Sequence, residues 1–216
     1  MAEIVPTILT ADLNAYRRLY ESFNTFTKRV QVDICDGVFT PTLTIDESNL
    51  WWSQGWAACD LHMMVMNPSR HLPAILKLKP HLCIFHAETN ENLLPIFQTL
   101  KANNIQAGVA ILKQTFPKKI EPYLKAADHC LIFSGKLGQM GGKADMLQIE
   151  KVPIIKSINP NLEIGWDGGA NLENVRELAH SDIDVINVGS AIATAVNQAE
   201  TYKALTVEAE KQGVLI

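Results

Sequence analysis

The chain has 216 residues, of which 47% are hydrophobic and 19% are charged, and this balance excludes an intrinsically disordered protein. A formal net charge of -4 carries no basic signature, so we exclude nucleic acid as the main partner. The length is sufficient for a sizeable core but short for two domains.

The first residues, MAEIVPTILTADLN, contain no basic stretch followed by a long apolar segment, and no later run is long enough to span a membrane. The four cysteines are widely spaced and form no CxxC pair; they are Cys35, Cys59, Cys83 and Cys130. We therefore expect a cytoplasmic protein with no membrane partner, whose thiols are reduced core residues and not disulfides or zinc ligands.

Eight short apolar runs alternate with amphipathic segments from end to end of the chain. Several runs are apolar almost throughout, as expected for strands of a parallel sheet that is buried on both faces. The predicted strands cover residues 4–9, 30–34, 57–65, 82–86, 105–111, 130–133, 162–166 and 185–188.

Helical spacing of apolar residues fills most of the intervals between these runs. The first helical segment follows a candidate N-cap at Asp12. The fourth carries Leu93, Phe97 and Leu100 at i, i+4 and i+7, and the last begins its apolar pattern at Val196. The second interval, residues 46–55, is short and rich in tryptophan, and its helix is the least regular of the series.

These eight βα units, spaced at roughly 20–35 residues, predict an α/β fold, a TIM (βα)8 barrel. We expect one domain over residues 1–216, because no linker or low-complexity tract divides the chain. The alternative is an open doubly wound sheet, but such sheets usually have fewer strands, and no GxGxxG follows the first strand.

Two aspartates at predicted strand ends indicate acid-base chemistry. The active sites of such barrels lie at the carboxyl ends of the strands, where Asp33 and Asp167 fall. Gln31 shares a face with Asp33, and Asp60 shares one with His62, because side chains alternate along a strand. Two carboxylates across the barrel mouth suit a two-base transfer, in which one removes a proton from carbon and the other returns it on the opposite face.

Glycine clusters after three successive strands indicate a phosphate site. Loops after the seventh and eighth strands, together with a helix N-terminus, commonly hold phosphate in these barrels, because glycine lets backbone amides come close. The candidate residues are Gly141 and Gly142 after the sixth strand, Gly168 and Gly169 after the seventh, and Gly189 and Ser190 after the eighth.

The series of motifs resembles that of the ribulose-phosphate 3-epimerase family, in order and spacing, over nearly the whole chain. The motifs are PTILTAD, VDICDGVF, DLHMM, FHAE, GVAI, WDGG and VGSAI. The resemblance implies a TIM barrel that epimerises carbon 3 of a ketose phosphate, such as D-ribulose 5-phosphate or D-xylulose 5-phosphate, through an enediolate. It also implies a divalent metal, Zn, Fe or Mn, and a homo-oligomer.

Carried over by position, the resemblance implies that Asp33 and Asp167 are the acid and the base and also touch the metal. His62 would be a further metal ligand. Thr7 stands at a substrate-contacting position, and Met64 stands where a methionine covers the intermediate.

The chain departs from the family pattern at three places. Gln31 replaces the expected histidine ligand, and its amide oxygen is a poor zinc ligand beside an imidazole. The loop after the sixth strand reads SGKLGQMGGK, with Lys136 and Lys143 as new charges. Two methionine positions hold Cys35 and Phe133. These departures leave three alternatives open: an epimerase, a related phosphosugar isomerase or lyase on the same barrel, and a non-catalytic phosphosugar-binding relative.

Overall fold

Eight parallel strands close into a barrel in chain order in the computed structural model, which describes residues 1–53 and 55–212. Closure is achieved by β1, which pairs with β2 on one side and with β8 on the other. The strands are β1 Glu3–Ile8, β2 Arg29–Cys35, β3 Ala58–Met64, β4 Leu82–His86, β5 Gln106–Ile111, β6 His129–Phe133, β7 Glu163–Asp167 and β8 Val185–Val188. The predicted TIM barrel is confirmed, and each predicted run overlaps one strand.

Helices cover the outside of the barrel. They are α1 Leu13–Phe23, α2 Leu72–Leu78, α3 Leu93–Ala102, α4 Glu121–Ala126, α5 Lys151–Ile158, α6 Val175–Ala179, α7 Ser190–Ala193 and α8 Gln198–Glu210. The predicted cap is confirmed, because Asp12 accepts hydrogen bonds from the backbone N–H groups of Asn14 and Ala15. Val196 is not part of the last helix: Asn197 caps α8, so Val196 lies before it and is fully exposed.

The second interval has no α-helix in the part of the chain that the structure describes, so the helix expected between the second and third strands is not formed there. A single 3₁₀ turn, Glu47–Asn49, stands between β2 and β3. The ring of Trp56 lies 5.4 Å from that of Tyr20 in α1, and the ring of Trp52 lies 6.4 Å from it. Stacked aromatic rings therefore cover the side of the barrel that a helix covers elsewhere.

Alternation along the strands separates the barrel interior from the layer beneath the helices. Trp166 and Met63 are fully buried in the outer layer, against the helices, as their phase predicts. Their neighbours Asp167 and Met64 line a cleft at the carboxyl ends of the strands. The two-residue period of the strands thus positions the candidate site side chains.

The amino ends of the strands meet at a group of charges, here called the Arg29 cluster. Nε of buried Arg29 donates to Oδ2 of Asp60 at 2.6 Å, and Nη2 donates to Glu163 at 2.9 Å. Nη1 also donates to Glu163, at 3.0 Å, and lies 3.4 Å from Glu3. The cluster ties β1, β2, β3 and β7 together at the end of the barrel opposite the cleft.

Candidate active site

Two carboxylates and one amide occupy the barrel beneath the cleft. Nε2 of Gln31 donates to Oδ1 of Asp33 at 2.9 Å and to Oδ2 of Asp167 at 2.7 Å. Asp33 and Asp167 come from β2 and β7, on either side of β1 and β8 in the closed sheet, so the amide joins side chains that are far apart in sequence. The two carboxylates therefore lie near each other at the floor of the cleft.

A chain of buried polar groups continues from these carboxylates towards β4. Nδ1 of His62 lies 3.0 Å from Oδ1 of Asp33 and 3.5 Å from Oδ2 of Asp167. Nε2 of His62 lies 2.9 Å from Nε2 of His86, and Nδ1 of His86 lies 3.5 Å from Oε2 of Glu88. Glu88 in turn accepts hydrogen bonds from Thr115 and from the backbone N–H of Leu112. Both imidazole rings are completely buried.

Burial and neighbouring charge shift the pKa values of these groups in different directions. Burial raises the pKa of Asp33 above its usual value. Burial alone would lower the pKa of His62, but its hydrogen bonds to Asp167 and Asp33 raise it to about 9. Burial lowers the pKa of His86 to about 4. His86 is therefore neutral at pH 7 and accepts the hydrogen that His62 donates from Nε2, while His62 Nδ1 faces the carboxylates.

The cleft above the carboxylates contains every predicted substrate-binding residue. Its lining includes Asp33, Asp167, Thr7, Met64, Gly141, Gly142, Gly168, Gly169, Gly189 and Ser190. The loops after β6 and β7 approach each other so closely that a Cβ built on Gly169 would lie 2.1 Å from the backbone nitrogen of Ala144. The roles predicted for these residues stay predictions at this point, but the fold brings all of them to one site.

His86 and Glu88 belong to the FHAE motif at the end of the fourth predicted strand, and the sequence indicates no contact between His86 and His62. His86 nevertheless contacts His62 directly. His86 ends β4 beside β3, the strand that carries His62, but the adjacency of the two strands does not by itself fix the contact of the two rings. Asn187 was also missed; it lines the cleft from β8, and its buried Oδ1 has no hydrogen-bond partner among the described residues.

The side chains at the cleft floor fit a divalent cation. Asp33, His62 and Asp167 each offer one ligand atom, and these atoms lie within 4.8 Å of one another. Carboxylate oxygens and a neutral imidazole are ordinary ligands of Zn²⁺, Fe²⁺ and Mn²⁺. Gln31 turns its Nε2 towards these carboxylates, and its carbonyl oxygen, Oε1, is buried and has no partner within the described residues. The site can therefore accommodate the metal that the resemblance implies.

Comparison with known proteins gives the same assignment for most of the chain. Residues 3–193 match the model of the ribulose-phosphate 3 epimerase family. A ribulose-phosphate 3-epimerase of Aquifex aeolicus is 32% identical over 178 residues, covering 79% of this chain and 80% of its own. The chain belongs to the ribulose-phosphate 3-epimerase family. It is accordingly an epimerase, an isomerase that acts on carbohydrates.

Further relatives show the extent of divergence within the family and the fold. A ribulose-phosphate 3-epimerase of Helicobacter pylori is 29% identical over 198 residues, covering 88% of this chain and 90% of its own. Among solved structures, KGPDC from Streptococcus mutans has a TM-score of 0.74 at 10% identity, covering 97% of both chains. That likeness supports the barrel fold alone. None of the helices described here has the length and apolar character needed to cross a membrane.

Proposed function

We propose that this epimerase interconverts D-ribulose 5-phosphate and D-xylulose 5-phosphate by two-base proton transfer at carbon 3. The observation that carries the proposal is the pair of carboxylates, Asp33 and Asp167, facing one cleft from opposite sides of Gln31 Nε2. One carboxylate removes the proton from carbon 3, and the other returns a proton to the opposite face of the enediolate. The configuration at carbon 3 inverts, and the net charge of the pair is unchanged.

The glycine loops would hold the phosphate while carbon 3 lies between the carboxylates. Gly168 and Gly169 both have positive φ angles, of 114° and 73°, and line the cleft with Gly189 and Ser190. Without Cβ atoms, the glycines leave their backbone amides open to a phosphate oxygen. Lys136 lines the same cleft and would add positive charge, while Thr7 and Met64 would contact the sugar.

Asp33, His62 and Asp167 would hold a divalent cation, which would supply positive charge beside the substrate oxygens where the enediolate forms. His86 would accept the Nε2 hydrogen of His62, and release of the Nδ1 proton on cation binding would leave the Nδ1 lone pair directed at the cation site. We also propose the predicted cytoplasmic location, since all four thiols are buried and unpaired. The homo-oligomer stays a prediction.

The test is exchange of the carbon 3 proton in heavy water, followed by NMR, together with product identification. Asp33→Asn and Asp167→Asn should each reduce epimerisation by roughly 10²–10⁴-fold, because an amide cannot take up the proton. With two bases, each variant should exchange the proton of at most one epimer. Asp128→Asn, at the opposite end of the barrel, is the matched control and should keep full turnover.

Two outcomes would redirect the proposal. Turnover of a hexulose 6-phosphate in place of the pentulose would change the substrate and keep the mechanism. An aldose or a cleaved product would indicate a related isomerase or lyase on the same barrel. If no ketose phosphate exchanges its carbon 3 proton, the proposed chemistry of Asp33 and Asp167 is wrong.

A further inference from the structure

The two terminal atoms of the Gln31 amide, Nε2 and Oε1, differ in their hydrogen bonding. It is completely buried, and both hydrogen bonds that it forms in the site come from Nε2, to Asp33 and Asp167. Its Oε1 is buried without a hydrogen-bond partner in the described part of the chain. An unpaired buried carbonyl oxygen costs free energy, and a rearrangement that gave Oε1 a partner would recover part of that cost.

The amide can present either end to the two carboxylates. Its oxygen and nitrogen are nearly equal in size, and rotation by half a turn about the terminal torsion of Gln31, which has a broad and roughly two-fold profile, exchanges them. After the exchange, Oε1 takes the place of Nε2 beside Asp33 and Asp167. Three oxygens facing one another repel, unless a cation lies between them. The orientation of the amide is therefore coupled to the presence of a cation.

We propose that Gln31 Oε1 is the fourth ligand of the cation site and shifts its preference from Zn²⁺ towards a harder ion such as Mn²⁺. With Gln31 included, the ligand set is three oxygens, from Asp33, Asp167 and Gln31, and one nitrogen, from His62. Oxygen ligands suit Mn²⁺ and Mg²⁺, whereas imidazole favours Zn²⁺. Most sites with nitrogen and oxygen ligands bind Zn²⁺ more tightly than Mn²⁺. We therefore expect the ratio of Zn²⁺ to Mn²⁺ affinity to be smaller with Gln31 than with a histidine at this position.

This inference concerns the same site as the proposed epimerase reaction and rests on its cation-binding residues. It is tested by metal binding in the absence of substrate, so either proposal can fail without the other. The experiment starts from protein freed of metal with a chelator and titrated calorimetrically with Mn²⁺ and separately with Zn²⁺. The unmodified chain is compared with Gln31→His, Gln31→Leu and Gln114→His.

The three variants replace the proposed ligand, remove it, or introduce a histidine away from the site. Gln31→His replaces the oxygen by an imidazole and should raise the ratio of Zn²⁺ to Mn²⁺ affinity by roughly tenfold or more. Gln31→Leu removes the oxygen ligand while keeping a side chain of similar volume, and it should lower the Mn²⁺ affinity by roughly tenfold. Gln114→His introduces the same residue at an exposed position and should leave both affinities unchanged.

Observation of the unmodified protein supplies a second measurement that does not depend on the folding of a variant. In ¹⁵N-labelled protein, adding diamagnetic Mg²⁺ or Zn²⁺ should shift the side-chain NH₂ resonances of Gln31, because the amide leaves the carboxylates. Equal Mn²⁺ affinity in Gln31→Leu, or unmoved NH₂ resonances in the metal-loaded protein, would show that Gln31 is not a ligand. An unchanged affinity ratio in Gln31→His would overturn the preference. Metal binding by Gln31→His alone would show that the native amide excludes the ion.

Discussion

Gly168 lies where the loops after β6 and β7 come into contact. Its φ angle is 114°, and a Cβ built there would lie 2.1 Å from the backbone nitrogen of Gly135. Gly168→Ala should therefore lower the free energy of unfolding by roughly 2–5 kcal/mol, through the left-handed backbone and the clash together. Urea denaturation of the variant measures this loss.

Gly141→Ala is the matched control for Gly168→Ala. Gly141 also has a positive φ angle, of 80°, but an added Cβ would meet no atom within 4 Å. Its substitution should cost only about 1–2 kcal/mol, for the left-handed backbone. Equal losses at the two positions would show that the loops separate easily and that their close approach contributes little to the stability of the cleft.

The positions of Asp33 and Asp167 could be predicted from the sequence, whereas the contacts of His86 could not. Each aspartate lies at or near the end of a strand, directly after a buried apolar residue, and alternation alone decides the face on which it lies. The contact between His62 and His86 depends on how far β4 is shifted along β3 and on the rotation of both rings. Neither property leaves a pattern in a single strand. The hydrogen bond from Gln31 to Asp167 was not predictable for the same reason, because it joins strands that are far apart in sequence.

At the scale of the elements, the Arg29 cluster fastens the amino ends of four strands. Arg29→Met should lower the free energy of unfolding by about 3–5 kcal/mol, because it leaves Asp60 charged and buried without its closest partner. Denaturant titration of the variant checks this loss. Adding Asp60→Asn to Arg29→Met should recover part of it, since the buried carboxylate charge, left with His81 Nδ1 at 2.9 Å as its neighbour, is then removed.

Lys101→Met supplies the comparison for this cluster, because it breaks an ion pair that is exposed. Lys101 and Asp128 lie 2.8 Å apart with side chains that are 41% and 36% exposed. The loss should stay below about 1 kcal/mol, as is usual for surface pairs. A similar loss of unfolding free energy in Arg29→Met and Lys101→Met would mean that burial does not increase the contribution of the Arg29 ion pairs to stability.

The strands of this barrel were predictable as elements because a parallel strand buried on both faces is a short apolar run, and few other structures produce eight such runs in series. The second crossover was not predictable in the same way. Its tryptophans fit a helix by composition, but Trp52 and Trp56 stack on Tyr20 of α1 and fill the space without forming one. Packing against Tyr20 of α1 overrides the helical preference of this segment. The sequence of the segment alone does not contain the position of α1.

At the scale of the whole molecule, the four cysteines report on the integrity of the barrel. Cys35, Cys59, Cys83 and Cys130 are free and at most 2% exposed. Burial raises all four thiol pKa values, those of Cys35 and Cys130 to about 12, so the reactive thiolate is scarce at neutral pH. A closed barrel has no edge strand at which one thiol could be exposed separately.

Ellman's reagent should therefore label no thiol in the native protein at neutral pH and four thiols in denaturant. Under native conditions, any slow labelling should follow global unfolding at a single rate, because the thiols lie in β2, β3, β4 and β6 of one closed sheet. Faster labelling of a single thiol that disappears in Cys35→Ser would locate a local opening at the end of β2, two residues beyond Asp33. In that case the cleft would open independently of the barrel, and the candidate site would not share the rigidity of the strands that carry it.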